Sequence, residues 1–140
     1  MIAQTIFTPY NIFFHDRGST SLAFIGITDE IHIKYISEVV DYINKNYSKD
    51  ITLNEITRHA YLSKFHFSRI FKKHTSYSPY QYLIAVRLNH SKQLLLNNNY
   101  SIKEVADKCG FKRLDYFSSI FKKKFKCNPS KYRETFSVAV

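Results

Sequence analysis

The residues from Phe67 to Tyr82 recur as Phe117 to Tyr132 with half the positions identical, and no other feature of the chain restricts its fold so tightly. A repeat in residue identity, not only in hydrophobicity, calls for two copies of one local structure. Within each copy the spacing is helical. Phe67, Ile70 and Phe71, and again Phe117, Ile120 and Phe121, stand at i, i+3 and i+4, which gathers them on one buried stripe. That rotation turns Phe65, Ser68, Arg69 and Lys72 outward in the first copy, and Asp115, Ser118, Ser119 and Lys122 outward in the second. Two similar polar faces imply two equivalent jobs.

Each copy is preceded by the same start signal. Thr52-Leu53-Asn54-Glu55 and Ser101-Ile102-Lys103-Glu104 are capping boxes, in which the hydroxyl accepts from the third helical amide and the glutamate reaches back to the cap amide. The first predicts a helix from Leu53 to about Ala60 with Leu53, Ile56 and Ala60 inward, a turn at Tyr61-Leu62 and a following helix capped by Ser63. The second predicts a helix with Ile102, Val105 and Ala106 inward, a tight turn at Gly110 and a helix starting near Arg113. Between the copies, Ser78-Pro79 is a good cap and first-turn pair. Tyr82, Leu83, Val86, Leu94 and Leu95 keep one long helix amphipathic to about Leu96, where three asparagines stop it. Upstream, Ile33, Ile36, Val39, Val40 and Ile43 predict a helix over 31–47, with Asp29 as its cap. Residues 1–28 are different in kind. IFTPYNIFF and SLAFIGI flank a turn-like HDRGS, which predicts a small β-hairpin or the remnant of a larger domain. The expected architecture is all-α: residues 29–140 form two helix-turn-helix units, 52–76 and 101–126, joined by a linker helix over 79–96.

With 140 residues, 44% of them hydrophobic and 16% aromatic, the chain can bury a core. Its formal net charge of +10 favours a polyanionic partner, nucleic acid or an acidic membrane surface. Cys109 and Cys127 are too few for a disulfide framework and suggest a reducing cytoplasm. The N-terminus lacks the basic region of a signal peptide, and no run reaches the roughly 18 apolar residues of a membrane span.

A short helix, a tight turn and a second helix with a polar outer face make a helix-turn-helix, whose second helix enters the major groove of DNA. That groove, about 12 Å wide, just admits a helix. Ser68, Ser118 and Ser119 allow close approach, and Arg69 can reach a guanine edge or a phosphate. A linker of some eighteen residues spans about 27 Å, against about 34 Å between successive major-groove faces on one side of a duplex. One chain could therefore read a non-palindromic site. The alternative is an RNA-binding or non-specific nucleic-acid-binding module, with Tyr77, Tyr80 and Tyr100 as stacking platforms.

Other classes fit poorly. An enzyme would have to use Cys109 with His59 or His66, but Cys109 falls at an inward helical position, and no phosphate loop or paired carboxylates accompany it. The six histidines have no metal-ligand spacing, so no metal or cofactor is expected. His74 and His90 read as surface residues. Membrane binding would need helix faces that the core already claims.

From about Ile33 to Phe136 the chain resembles the DNA-binding domain of AraC/XylS-type transcription regulators. The matching stretches are LSKFHFSRIFKK, SPYQYLIAVRLNHSKQLL, SIKEVADKCGF and DYFSSIFKKKFKCNPSKYR. The resemblance implies a bacterial DNA-binding regulator, often an activator that touches RNA polymerase beside its site. It places Lys64, Phe65, His66, Ser68, Arg69, Lys72 and Lys73 of the first unit at the DNA. In the second unit it places Lys112, Arg113, Asp115, Tyr116, Ser119, Lys122 and Lys123 there. The family often has a basic or amide residue where Ser119 stands and a neutral polar one where Asp115 stands. The first unit should therefore supply more of the sequence discrimination, while Lys112, Arg113, Lys122 and Lys123 keep the second unit attached through phosphates. Ser76 and Lys126 replace the glycines common after the recognition helices. Such regulators often carry an effector-binding domain, and residues 1–28 are too few to enclose a ligand pocket. The expectation is a chain without a small-molecule effector site, either a stand-alone regulator or a piece of a larger one.

Overall fold

The structure, a computed structural model, describes residues 22–58 and 62–137. Seven helices follow in order: α1 (Leu22–Asn46), α2 (Leu53–Thr57), α3 (Lys64–Thr75), α4 (Pro79–Leu95), α5 (Ile102–Lys108), α6 (Leu114–Phe125) and α7 (Pro129–Phe136). The expected all-α fold is observed, with no strand among the described residues. Two boundaries differ: α2 ends at Thr57, with Arg58 as its C-cap, short of the expected end near Ala60. α1 begins at Leu22, ahead of the Asp29 cap, so the stretch expected as the second hairpin strand is helical from Leu22 onward. A short apolar run fits either a strand or a buried helix segment by pattern alone, and it is here continuous with a long helix. The first half of the expected hairpin lies outside the described residues, as does Ala60. No helix among the described residues is long and apolar enough to cross a membrane.

The chain divides into two compact units, with the boundary inside α4. The first contains α1 to α3 and α4 up to Leu83; the second contains Tyr47–Asp50 and the chain from Ile84. In the first unit, Ile36, Val39, Val40 and Ile43 of α1 are buried with Ile56, Phe67, Phe71 and Tyr82. The Thr52 box forms as the sequence predicts: Thr52 Oγ1 accepts from the Glu55 amide at 3.2 Å, and Glu55 Oε2 accepts from the Thr52 amide at 2.7 Å. Ser63 Oγ then accepts from the His66 amide at 3.1 Å and starts α3. Ile70 is only half-buried, and the stripe continues to His74, which is 5% exposed. His74 is thus not a surface residue: it lies three positions beyond Phe71 and seven beyond Phe67, on the face that packs inward.

The second unit repeats these devices. Ser101 Oγ accepts from the Glu104 amide at 3.0 Å, and Glu104 Oε2 accepts from the Ser101 amide at 2.7 Å. Its core gathers Leu88, Leu95, Val105, Ala106, Cys109, Phe111, Phe117 and Phe121. The aromatic packing matches pair for pair. Phe67 and Phe71 have centroids 5.8 Å apart, and Phe117 and Phe121 5.7 Å apart. Phe71 meets Tyr82 edge-on at 5.7 Å, as Phe121 meets Tyr132 at 5.5 Å. Both recognition-type helices, α3 and α6, end on a left-handed residue, Ser76 at φ 69° and Lys126 at φ 68°. Each of those amides donates to a lysine carbonyl, of Lys72 or Lys122, at 2.8 Å. The repeat in the sequence is therefore a repeat in three dimensions.

Candidate nucleic-acid interface

The buried stripe of α3 fixes what the helix shows to solvent. With Phe67 and Phe71 inside, Lys64, Phe65, His66, Arg69, Lys72 and Lys73 are exposed and Ser68 is half-buried. Ser63 is the N-cap, so Lys64, Phe65 and His66 form the first turn. Phe65 is 75% exposed, with the Lys64 ammonium 5.5 Å from its ring centroid. An aromatic ring left in water at the tip of a basic helix is costly unless something covers it.

On α6 the same rotation buries Phe117 and Phe121 and exposes Asp115, Tyr116, Ser119, Lys122 and Lys123, and Lys112 and Arg113 just before the helix are exposed as well. Its N-terminus is built differently. Arg113 is the N-cap but makes no side-chain cap bond. Instead its guanidinium grips Asp115: Nε donates to Oδ1 at 3.1 Å and Nη2 to Oδ2 at 2.6 Å. The Arg113 guanidinium, and after it the Tyr116 amide, hold the Asp115 carboxyl below the usual carboxylate range, while Asp115 holds the Arg113 proton more tightly. Lys112 is also engaged, donating to Asp50 Oδ2 at 2.7 Å, and this bond keeps the Asp50 carboxyl low. Two of the four cations expected to hold phosphates thus have protein carboxylates as neighbours. The Arg-x-Asp spacing was readable in the sequence. The Lys112–Asp50 pair, between residues far apart in the chain, was not.

A buried arginine that the sequence reading passed over positions the turn of this second unit. Arg87, 7% exposed, donates from Nε to the Tyr47 carbonyl at 2.6 Å and from Nη2 to the Lys49 carbonyl at 2.8 Å. Gly110 lies against this arrangement at φ 91°, and a Cβ there would come 2.7 Å from the Tyr47 oxygen and 2.8 Å from Arg87 Nε. Only glycine fits both the backbone and the space. Beside it, His90 stacks on Tyr47 at 4.0 Å with the rings 3° from parallel, so His90 is half-buried, not a plain surface residue, and burial lowers its pKa. The signal for Arg87 was a charged residue inside the otherwise apolar run from Leu83 to Leu88. Cys109 sits in the core, and burial pushes its thiol up to about 12, which leaves little thiolate for chemistry.

Two short helices, each turning into a helix with a stripped, basic outer face, define a helix-turn-helix protein with two reading heads. Comparison with known proteins agrees. Residues 56–135 match the family described as a helix-turn-helix domain. The lactose operon transcription activator of Staphylococcus xylosus is 35% identical over 103 residues, which are 74% of this chain and 37% of that protein. The DNA-binding domain of the global transcriptional factor AdpA, solved in complex with a target DNA, superposes with a TM-score of 0.68 at 29% identity, covering 72% of this chain and 91% of that one. An AraC-type regulator from Chromobacterium violaceum gives 0.67 at 26%, covering 74% and 92%. The chain belongs to the AraC-type family of helix-turn-helix transcription regulators. It spans a little over a third of the length of the curated relatives it matches.

Proposed function

We propose that this chain is a sequence-specific regulator of bacterial transcription that acts in the cytoplasm by inserting α3 and α6 into adjacent major grooves of one DNA duplex. Residues 29–140 carry this activity, with 52–76 and 101–126 as the two heads. The observation that supports it most is the matched pair of helices whose inner faces are claimed by the core, while Phe65, Arg69 and Lys72 on one, and Arg113, Ser119 and Lys122 on the other, stand in solvent. α4, at 17 residues, is about 26 Å long. That length, with the width of a head at each end, suits major-groove faces about 34 Å apart.

In this reading Arg69 reads a base in the first half of the site and Phe65 packs on a base or sugar. Ser68 and Ser119 let the backbone approach, and Lys64, Lys72, Lys73, Lys122 and Lys123 meet phosphates. His66 and Tyr116 line the same faces. The chain carries out no enzymatic step and needs no cofactor. It activates transcription through a contact with RNA polymerase beside its site. Selection of bound fragments from random duplex DNA tests the reading: two enriched blocks about one helical turn apart are expected. Tighter binding to RNA hairpins than to any duplex at the same salt would overturn it, because a helix cannot enter the deep, narrow major groove of A-form RNA.

A further inference from the structure

Arg113 and Asp115 stand where the second recognition helix begins, the part of such a helix that reaches base edges. Their bond is side-on. Nε and Nη2 of Arg113 face the two carboxylate oxygens. A guanidinium is planar and carries five N–H donors in a fixed fork, so this arrangement commits one edge to Asp115 and leaves the end-on edge, Nη1 with the second Nη2 hydrogen, outside that bond on a side chain that is 75% accessible. That edge matches the paired N7 and O6 acceptors that guanine shows in the major groove, where arginine makes the commonest specific contact. Both residues are largely exposed, with side chains 75% and 68% accessible, so their bond adds little to stability. Its effect is on geometry: it removes freedom from a long side chain before any DNA arrives.

We propose that Arg113, oriented by Asp115, is a specificity-determining reader of a guanine in the second half of the DNA site. Asp115 is a positioning residue, not a stray negative charge. The second head then carries sequence discrimination through Arg113, which the sequence assigned to phosphate contact. This inference rests on the DNA-reading function proposed above, and its failure can be told apart from the failure of that function.

The test is fragment selection with the full chain, followed by titration of four duplexes differing only at the guanine position found in the second block. The native protein should prefer guanine there by about 5- to 150-fold, the range of one good bidentate contact. R113A should erase that preference and leave the first block untouched. D115N and D115A should also flatten it, although the arginine is still present, while affinity for random duplex is unchanged or rises because a negative charge near phosphates is gone. R113K should fail to restore it, since an ammonium cannot serve both edges. Circular dichroism of each variant checks that the helices persist. A native second block without a guanine preference, an R113A loss shared equally by all four duplexes, or a preference that survives D115A would each overturn the inference while leaving duplex reading intact. Absence of binding to any duplex would remove the function and this inference together.

Discussion

Ser76 and Lys126 hold the left-handed backbone at φ 69° and 68° that ends α3 and α6, and neither side chain is suited to it. A left-handed non-glycine residue costs about 1 kcal/mol or more, so S76G or K126G should each raise stability by about that amount in urea titrations, and a decrease would show that the side chains contribute contacts of their own. The opposite holds at Gly110, whose φ of 91° and 2.7 Å clearance from the Tyr47 carbonyl forbid a methyl group. G110A should lose roughly 2–4 kcal/mol by backbone strain and overpacking together; a loss under about 1 kcal/mol would mean that the turn and Arg87 can yield. On the DNA side, R69A should cost about 1–3 kcal/mol and relax base preference in the first block, whereas an unchanged preference would rule Arg69 out as a reader. These residues were legible to different degrees. The positive φ after each recognition helix was foreseeable from the family's glycines, but the reach of Arg87 to the Tyr47 and Lys49 carbonyls depends on contacts across about forty positions of chain.

At the scale of the helix, start signals carried most of the information. The two capping boxes and Ser63 are local, four-residue devices, and each formed with the bonds its spacing predicts. A third, reciprocal pair opens α4, where Ser78 Oγ accepts from the Gln81 amide at 3.2 Å and Gln81 Oε1 from the Ser78 amide at 2.9 Å; its Ser-x-x-Gln spacing was equally readable. Helix α1 was misread at its start because its first residues lack an alternation that separates strand from helix. The Glu104 box makes a pH prediction. The backbone amide of Ser101, and then its hydroxyl, hold the Glu104 carboxyl below its ordinary 4.5. A depressed carboxylate contributes stability that is complete above the unfolded value and is lost as pH falls through the lower folded value. Acidification from about pH 7 to about pH 3 should therefore destabilise the native chain more than E104Q, which keeps a capping side chain without the charge. Equal acid sensitivity in the two proteins would contradict that role.

For the whole molecule, the internal repeat made the fold readable and the net charge of +10 made the partner class readable. What a single sequence withheld was long-range pairing: Lys112 and Asp50 stand far apart in the chain, and the fold brings them to 2.7 Å. The distinction matters for how DNA binding responds to salt. K123A should weaken all duplexes alike and lower the salt slope by about one, since Lys123 is exposed on α6, and a sequence-selective loss would assign it to base reading instead. K112A should change the slope less, because its ammonium already has Asp50 as a neighbour. The central claim, that one copy of the chain reads a single duplex with both helices, is tested most directly by hydroxyl-radical footprinting of a selected site at a chain-to-DNA ratio of one. Two protected patches on one face of the duplex, about 10 base pairs apart, are expected, with R69A thinning one and R113A the other. A single patch, or a second that emerges only when a second chain binds, would contradict it.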